Sequence, residues 1–269
     1  MSSAVPVVSL AAAVNSPSAL ANCLSRSPDV ATGALTLRRY EGFSSAAAAY
    51  NRAITEAGAD IVVLAHQDVY LPGGFLQGAL EQIRRLDALD PTWALAGVAG
   101  LDARNVFQGR TWSSGLGVLL GARLDTPAAV ETLDEMLLFV RVASGLRFDE
   151  QLTGFHLYAA DAIQIAKAGG QLSYVIDAPV IHHSRAVVAL DRSYRKAYRY
   201  LQRKWRSELP IPNLVCPITR SPLTLLLRDA RIRGKHRGKP RPSEPLDDPS
   251  LIARRLGFEP PPVNEQSPG

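Results

Sequence analysis

Three short polar clusters stand where the sequence could do chemistry. The first is His66-Gln67-Asp68, directly after the apolar run Ile61–Ala65. An imidazole and a carboxylate at i and i+2 of an extended segment point to one side, where they can hold a metal ion or a phosphate. A loop whose His66 and Asp68 only cap the next helix would read the same way. The second cluster is Phe148-Asp149-Glu150 with Gly154-Phe155-His156-Leu157-Tyr158-Ala159-Ala160-Asp161. His156 and Asp161 are candidate proton acceptors. Asp161 is equally an acid at a helix start, where the backbone dipole favours it, with His156 packed in the core. The third is His182-His183-Ser184, after a strand-like run. Histidine is a common metal ligand. Adjacent side chains of an extended backbone diverge, so at most one of His182 and His183 is expected on a metal.

Several chemistries are excluded by motif. The chain has no Gly-x-x-x-x-Gly-Lys phosphate loop, no Gly-x-Gly-x-x-Gly after its first strand and no Gly-x-Ser-x-Gly elbow. Its two cysteines, Cys23 and Cys216, are far apart and predict reduced, buried thiols of a cytoplasmic protein.

The elements that must carry these clusters alternate in type. Strands are predicted at Val5–Ala13, Ala34–Arg39, Ile61–Ala65 and Trp93–Gly100, with helices over Ser18–Ser25, Ser44–Gly58 and Pro72–Leu89 between them. Ile61–Ala65 is wholly apolar, as a strand buried on both faces must be. Ser44 or Ser45 is placed to cap the alanine-rich helix. This order predicts an α/β fold with a mostly parallel sheet covered by helices, and ligands bind beyond the carboxyl ends of such strands. Gly109–Gly121 reads as loops or a hairpin, Leu137–Val142 as a strand, and Asp161–Ala168 as a helix ending at Gly169-Gly170. Leu172–Ile176 and Val180–Ile181 read as strands.

With 269 residues, 46% of them hydrophobic, the chain can bury a sizeable core without disulfides. Val5–Val14 resembles the core of a signal peptide, but no cation precedes it and Pro6 interrupts it, so it is expected to be a buried strand. No apolar run reaches the roughly 20 residues of a bilayer span. The net charge of +5 is uneven: residues 192–241 carry +13, leaving −8 for the rest. Tyr194–Arg206 is expected to be an amphipathic helix, with Tyr194, Tyr198, Leu201 and Trp205 on one face. Its cations Arg195, Arg199, Lys204 and Arg206 could meet anionic lipid head groups or merely solvate it. Beyond Asp229 a basic, then proline-rich tail is expected to be disordered apart from a short helix near Leu251–Leu256.

Ala49-Tyr50-Asn51-Arg52-Ala53-Ile54, Asp60–Val69, Phe148-Asp149-Glu150, Gly154–Tyr158 and His182-His183, in this order and spacing, resemble the family-2-like glycosyltransferases of GT-A fold over residues 4 to 190. The resemblance implies a nucleoside diphosphate sugar donor bound at the sheet end, with Mn²⁺ or Mg²⁺ bridging the diphosphate to an Asp-x-Asp motif. Here that motif falls on His66-Gln67-Asp68, so its first aspartate is missing. The resemblance places Asn51, His66, Gln67 and Asp68 at the donor, with His66 facing ribose or diphosphate and Asp68 on the metal. It gives His182 or His183 as a further metal ligand, and Asp134-Glu135, before an apolar run, as a contact for donor sugar or acceptor. The family's paired acid before the helix that opens at Asp161 reads Tyr158-Ala159-Ala160-Asp161 here, with alanine for one acid. Asp161 is expected as the base, with His156 second.

The sequence thus predicts a catalytic domain over residues 1–190, a basic helical extension over 191–228 and a largely disordered tail over 229–269. The expected activity is sugar transfer to a hydroxyl of a glycan or lipid-linked acceptor, with inversion. It would act in the cytoplasm or peripherally at the inner face of the membrane. Two rival readings are a catalytically silent nucleotide-sugar or glycan binder of the same fold, and a nucleic-acid-binding protein acting through the basic part.

Overall fold

The structure, a computed structural model, describes residues 5–239 and 247–259. The first half contains β1 (Val8–Val14), α1 (Pro17–Asn22), α2 (Pro28–Ala31), β2 (Leu37–Glu41), α3 (Ala46–Glu56), β3 (Ile61–Ala65), β4 (Val69–Tyr70), α4 (Phe75–Leu89), β5 (Leu95–Gly97), β6 (Ala99–Leu101), β7 (Phe107–Ser113) and β8 (Val118–Gly121). The second contains β9 (Ala128–Ala129), β10 (Thr132–Leu133), β11 (Leu137–Arg141), α5 (Tyr158–Ala168), β12 (Ser173–Val175), β13 (Val180–His182), α6 (Arg192–Lys204), α7 (Leu223–His236) and α8 (Pro249–Arg255).

Two sheets are flanked by helices. The larger has the order β2-β1-β3-β11-β5-β12-β9. Strand β1 lies parallel between β2 and β3, and β12 is parallel to β5. Only β11 and β9 run against the rest, so most strands of this sheet share one direction, whereas the smaller sheet pairs mostly antiparallel. Strand β3 is buried along its whole length. Its Val62 and Leu64 enter one core cluster and Ile61, Val63 and Ala65 the other, which is why no polar residue alternates within it. Helix α3 packs its alanines on the same sheet, and Ser45 is the residue that caps it, accepting from the Ala48 N–H at 3.3 Å.

The predicted single strand Trp93–Gly100 is two strands. At Val98 the chain leaves the larger sheet and enters the smaller, of order β10-β6-β7-β13-β4 with β8 on β7. The crossing needs close backbone approach. A Cβ on Gly109 would sit 2.1 Å from the Val98 carbonyl oxygen, and Gly109 has φ +117°, a region only glycine enters freely. Gly109–Gly121 contributes to the β7–β8 hairpin.

Order continues past Asp229, where the sequence predicted its end. Helix α7 runs to His236 because Asp229 is buried and bound three ways. It accepts from the Leu190 N–H at 2.7 Å and from the Arg233 guanidinium at 2.8 Å, and it pairs with Arg195. The short helix expected near Leu251 is α8; its Ile252 and Ala253 pack on Tyr70 and Ile181. The remaining expected tail, residues 240–246 and 260–269, lies outside the described residues. No described helix is long and apolar enough to cross a membrane. Cys23 and Cys216 are buried and unbridged.

Removing the Asp229 carboxylate strands Arg195 and an N–H at the α6–α7 joint. Breaking a fully buried pair costs about 3–5 kcal/mol; Arg195 and Arg233 keep contact with water, so Asp229→Ala is expected to cost roughly 2 kcal/mol. Thermal unfolding should show a midpoint lowered by roughly 4–8 °C. An unchanged midpoint means α7 is not held through this carboxylate.

Candidate metal centre and its surroundings

Strand β3 ends at Ala65, and the chain turns at once. The Val69 N–H donates to the His66 carbonyl at 3.1 Å, closing a turn into β4. His66 and Asp68 therefore sit on a turn rather than on the extended segment that their i, i+2 spacing suggested. Strand β13 pairs antiparallel with β4, setting His182 opposite Val69. The His183 N–H then donates to the Asp68 carbonyl at 2.8 Å. The result is a three-residue cluster of His66, Asp68 and His182 whose ligand atoms lie within 4.8 Å of one another.

The two adjacent histidines separate as expected. The His182 Nε2 lies 3.6 Å from Asp68 Oδ1. The His183 ring turns away to Ser114, Nδ1 to Oγ 3.0 Å. His66 has its Nε2 3.0 Å from the Tyr158 hydroxyl, which donates its proton to the Glu135 carbonyl at 3.0 Å. A carbonyl only accepts, so the hydroxyl oxygen must accept from His66 Nε2–H. That assigns the tautomer and leaves Nδ1 of His66 as its unprotonated nitrogen, the arrangement seen when an outer hydrogen bond orients a metal-ligating imidazole.

The charges respond to one another. Burial disfavours ionised Asp68, but the hydrogen bond and charge of His182, with the charge of His66, outweigh it and hold the carboxyl well below its usual range. Burial lowers His66. For His182 burial is overcome by Asp68 and, more weakly, Asp134, and its pKa is raised. A half-buried anion among two imidazoles is the donor chemistry a divalent cation needs: one carboxylate and two nitrogen ligands.

The other residues named from sequence fall elsewhere. Asp134 has one oxygen on the Met136 N–H at 2.9 Å, and its charge reaches both His66 and His182. Gln67 is a tie between strand ends: its amide oxygen accepts from the Asn15 and Ser16 N–H groups at 3.0 and 2.9 Å, and its NH₂ donates to Asn15 at 2.6 Å. Asn51 clamps the loop at Phe148. It accepts the Phe148 N–H at 2.8 Å and donates to the Phe148 carbonyl at 2.9 Å and to Glu150 at 3.0 Å. Both amides, expected from the sequence at the donor, thus spend their oxygen and at least one N–H on bonds within the chain.

Asp161 is also placed differently from its expected role. It is 1% exposed, and both oxygens are taken, by Lys204 Nζ at 2.8 and 2.9 Å and by the Trp205 indole N–H at 2.6 Å. Burial raises its pKa against the pull of Lys204 and Trp205. It is an anchor between α5 and the end of α6, with no free oxygen for an acceptor proton. His156 keeps surface: its side chain is 38% exposed, its Nε2 lies 3.7 Å from Asp191, and its ring meets Tyr194 edge-on. Two residues gain weight here: Tyr158, which had no role from the sequence, and Glu135, expected with Asp134 only as a contact for donor sugar or acceptor. Tyr158 orients His66. Glu135 accepts from the Ala159 N–H at 3.3 Å at the start of α5; burial and the neighbouring Asp134 push it up to about 8. Both lay inside or beside the sequence clusters, but nothing in their spacing says which partner each would find.

No protein-family model matches the chain. A curated relative, "ATP synthase subunits region ORF 6" of Fuscovulum blasticum, is 30% identical over 159 residues, 58% of this chain and 63% of that protein. The match thus spans less than two thirds of the relative's length. Among solved structures the chain is similar to GalNAc-T7 with UDP, GalNAc and Mn²⁺ (11% identity, 94% of this chain and 57% of that chain, TM-score 0.48). It is similar also to the mannosyltransferase PcManGT from Pyrobaculum calidifontis in complex with GDP-Man and Mn²⁺ (13%, 94% and 80%, 0.45). A third is S. aureus TarS 1-349 in complex with UDP-GlcNAc (16%, 74% and 66%, 0.42).

The Asp161 anchor makes its own prediction. Asp161→Asn removes the more deeply buried of the two carboxylates that Lys204 meets, and thermal unfolding should show a loss of roughly 2 kcal/mol. A single variant as stable as wild type, but inactive, returns Asp161 to a catalytic role.

Proposed function

We propose that this chain is a metal-dependent glycosyltransferase that moves a sugar from a nucleoside diphosphate sugar to an acceptor hydroxyl, with inversion. The observation that carries the reading is the His66, Asp68 and His182 cluster just beyond the carboxyl end of β3, where open α/β sheets take their ligands. The ordered motifs that resemble family-2-like glycosyltransferases support it. Three protein ligands leave coordination positions for diphosphate oxygens. Two imidazoles favour Mn²⁺ over Mg²⁺, which prefers oxygen alone. When bound, the cation supplies Lewis-acid stabilisation of the charge that grows on the leaving diphosphate.

The chain's own residues do the rest. Tyr158 holds the His66 ring in one tautomer. Asp134, half-buried beside the cluster, is placed to accept hydroxyls of the donor sugar. His156 takes the acceptor proton, since it keeps exposed surface while Asp161 is enclosed. A single base and single displacement give inversion. Glu135, with a carboxyl pushed to about 8, is the other group suited to proton transfer near neutral pH. The acceptor class is a hydroxyl of a glycan or a lipid-linked molecule.

A thermal-shift panel of UDP- and GDP-sugars with Mn²⁺ tests the donor site, since a ligand at 100 times its Kd raises stability by about 2.7 kcal/mol. Asp68→Asn and His182→Ala should each abolish the Mn²⁺-dependent shift, whereas His183→Ala should retain it. A full shift in Asp68→Asn overturns the metal assignment. A shift without any sugar transfer selects the silent binding protein instead.

The base is tested by turnover at saturating donor. His156→Ala should lower it by roughly 10²–10⁴-fold with donor binding intact. If His156→Ala is fully active and Glu135→Gln is not, the proton goes to Glu135.

A further inference from the structure

The basic part of the chain is two helices with different surfaces. Helix α6 turns its aromatic face inward: Tyr194, Tyr198 and Leu201 are buried. Two of the cations expected to face lipid are used internally, Arg195 on Asp229 and Lys204 on Asp149 and Asp161. Its exposed residues Arg192, Ser193, Lys196, Arg199 and Arg203 include no apolar side chain.

Helix α7 is built the other way round. Leu225, Asp229 and Ile232, at i, i+4 and i+7, face the core. Leu223, Leu226, Leu227 and Ala230, at i, i+3, i+4 and i+7, face outward. The three leucines are 59%, 54% and 56% exposed. An apolar stripe on the solvent side of a helix needs a reason, because scattered exposed leucines are ordinary but aligned ones are not. Its surroundings supply the charge. Residues 220–239 hold seven Lys/Arg and one acid, Asp229, which is buried and paired. On the helix, Arg231 and Arg233 border the leucines on either side, and Lys235, Arg237 and Lys239 continue beyond them, all exposed.

We infer that the outward face of α7 is a docking surface for an anionic lipid bilayer. Leucines enter the boundary between head groups and acyl chains while the bordering cations meet lipid phosphates, the arrangement of an interfacial amphipathic helix. Nucleic acid is the poorer partner for this face, since a phosphate backbone has nothing to offer its leucine stripe. The inference is independent of the proposed catalytic activity, because none of these residues belongs to the metal centre.

The test is co-sedimentation of the full chain with phosphatidylcholine vesicles, with and without phosphatidylglycerol, at low and high salt. Wild type should bind the anionic vesicles and bind less at high salt. The triple variant Leu223→Ser/Leu226→Ser/Leu227→Ser should lose at least about tenfold in partitioning, and Arg231→Glu/Lys235→Glu a similar factor at low salt. All five side chains are exposed, so both variants should melt with wild type; if the leucine variant does not fold, the charge variant decides. The inference is overturned if wild type fails to bind anionic vesicles at low salt, or binds neutral ones equally well. It also fails if the folded variants bind as wild type does. Retention on duplex DNA but not on vesicles assigns the basic surface to nucleic acid.

Discussion

The pairing of β4 with β13 is the constraint on which the candidate site depends. Two residues on each side suffice: Ile181 opposite Tyr70, and His182 opposite Val69. This short ladder, extended by the His183 N–H on the Asp68 carbonyl, brings Asp68 and His182 together from distant parts of the chain. Register matters more than strength here. Side chains alternate along a strand, so a slip by one residue would present His183 in place of His182. The C-terminal segment backs the same strands. Ile252 and Ala253 pack on Tyr70 and Ile181, and Glu259 accepts from the Tyr70 hydroxyl at 2.6 Å and from the Gly73 N–H at 2.8 Å. Residues distant in sequence thus back the β4–β13 pair beside Asp68 and His182.

A second set of polar contacts joins α5 to α6. Asp161, Asp149, Lys204, Tyr200 and Trp205 form a network in which each carboxylate meets a cation and a ring donor: Tyr200 gives its hydroxyl to Asp149 at 2.6 Å, and Trp205 its indole N–H to Asp161. Buried charges persist only when so paired. The network packs the basic helix against α5, although by composition it looked like an appendage. It also encloses Asp161, the acid of the second cluster nearest a helix start.

Charge in this chain has two fates. Cations that approach the core are consumed by specific acids, as Arg195 is by Asp229. Those left on the surface of α6 and α7 form a field that acts over about a Debye length. The +13 of residues 192–241 therefore overstates what is available to a partner. Exposure, which composition does not report, separates the two groups.

The sequence by itself determined the α/β class, because a wholly apolar run such as Ile61–Ala65 can only be a strand buried on both faces, and its alternation with helical runs requires a mostly parallel sheet. It also located the chemistry at strand ends, since polar residues following such runs lie where ligands bind. Which residues meet was decided by tertiary structure alone. The choice of His182 over His183 comes from the β4–β13 register. The withdrawal of Asp161, Gln67 and Asn51 into cross-links comes from partners between 40 and 100 residues away. The recruitment of Tyr158 to His66 comes from a hydroxyl that found the Glu135 carbonyl. Helix α7 escaped the sequence reading because its outward leucines and basic charge hide the inward stripe of Leu225, Asp229 and Ile232. A side chain's type sets what it can do, and only its neighbours in space set whether anything is left for a ligand.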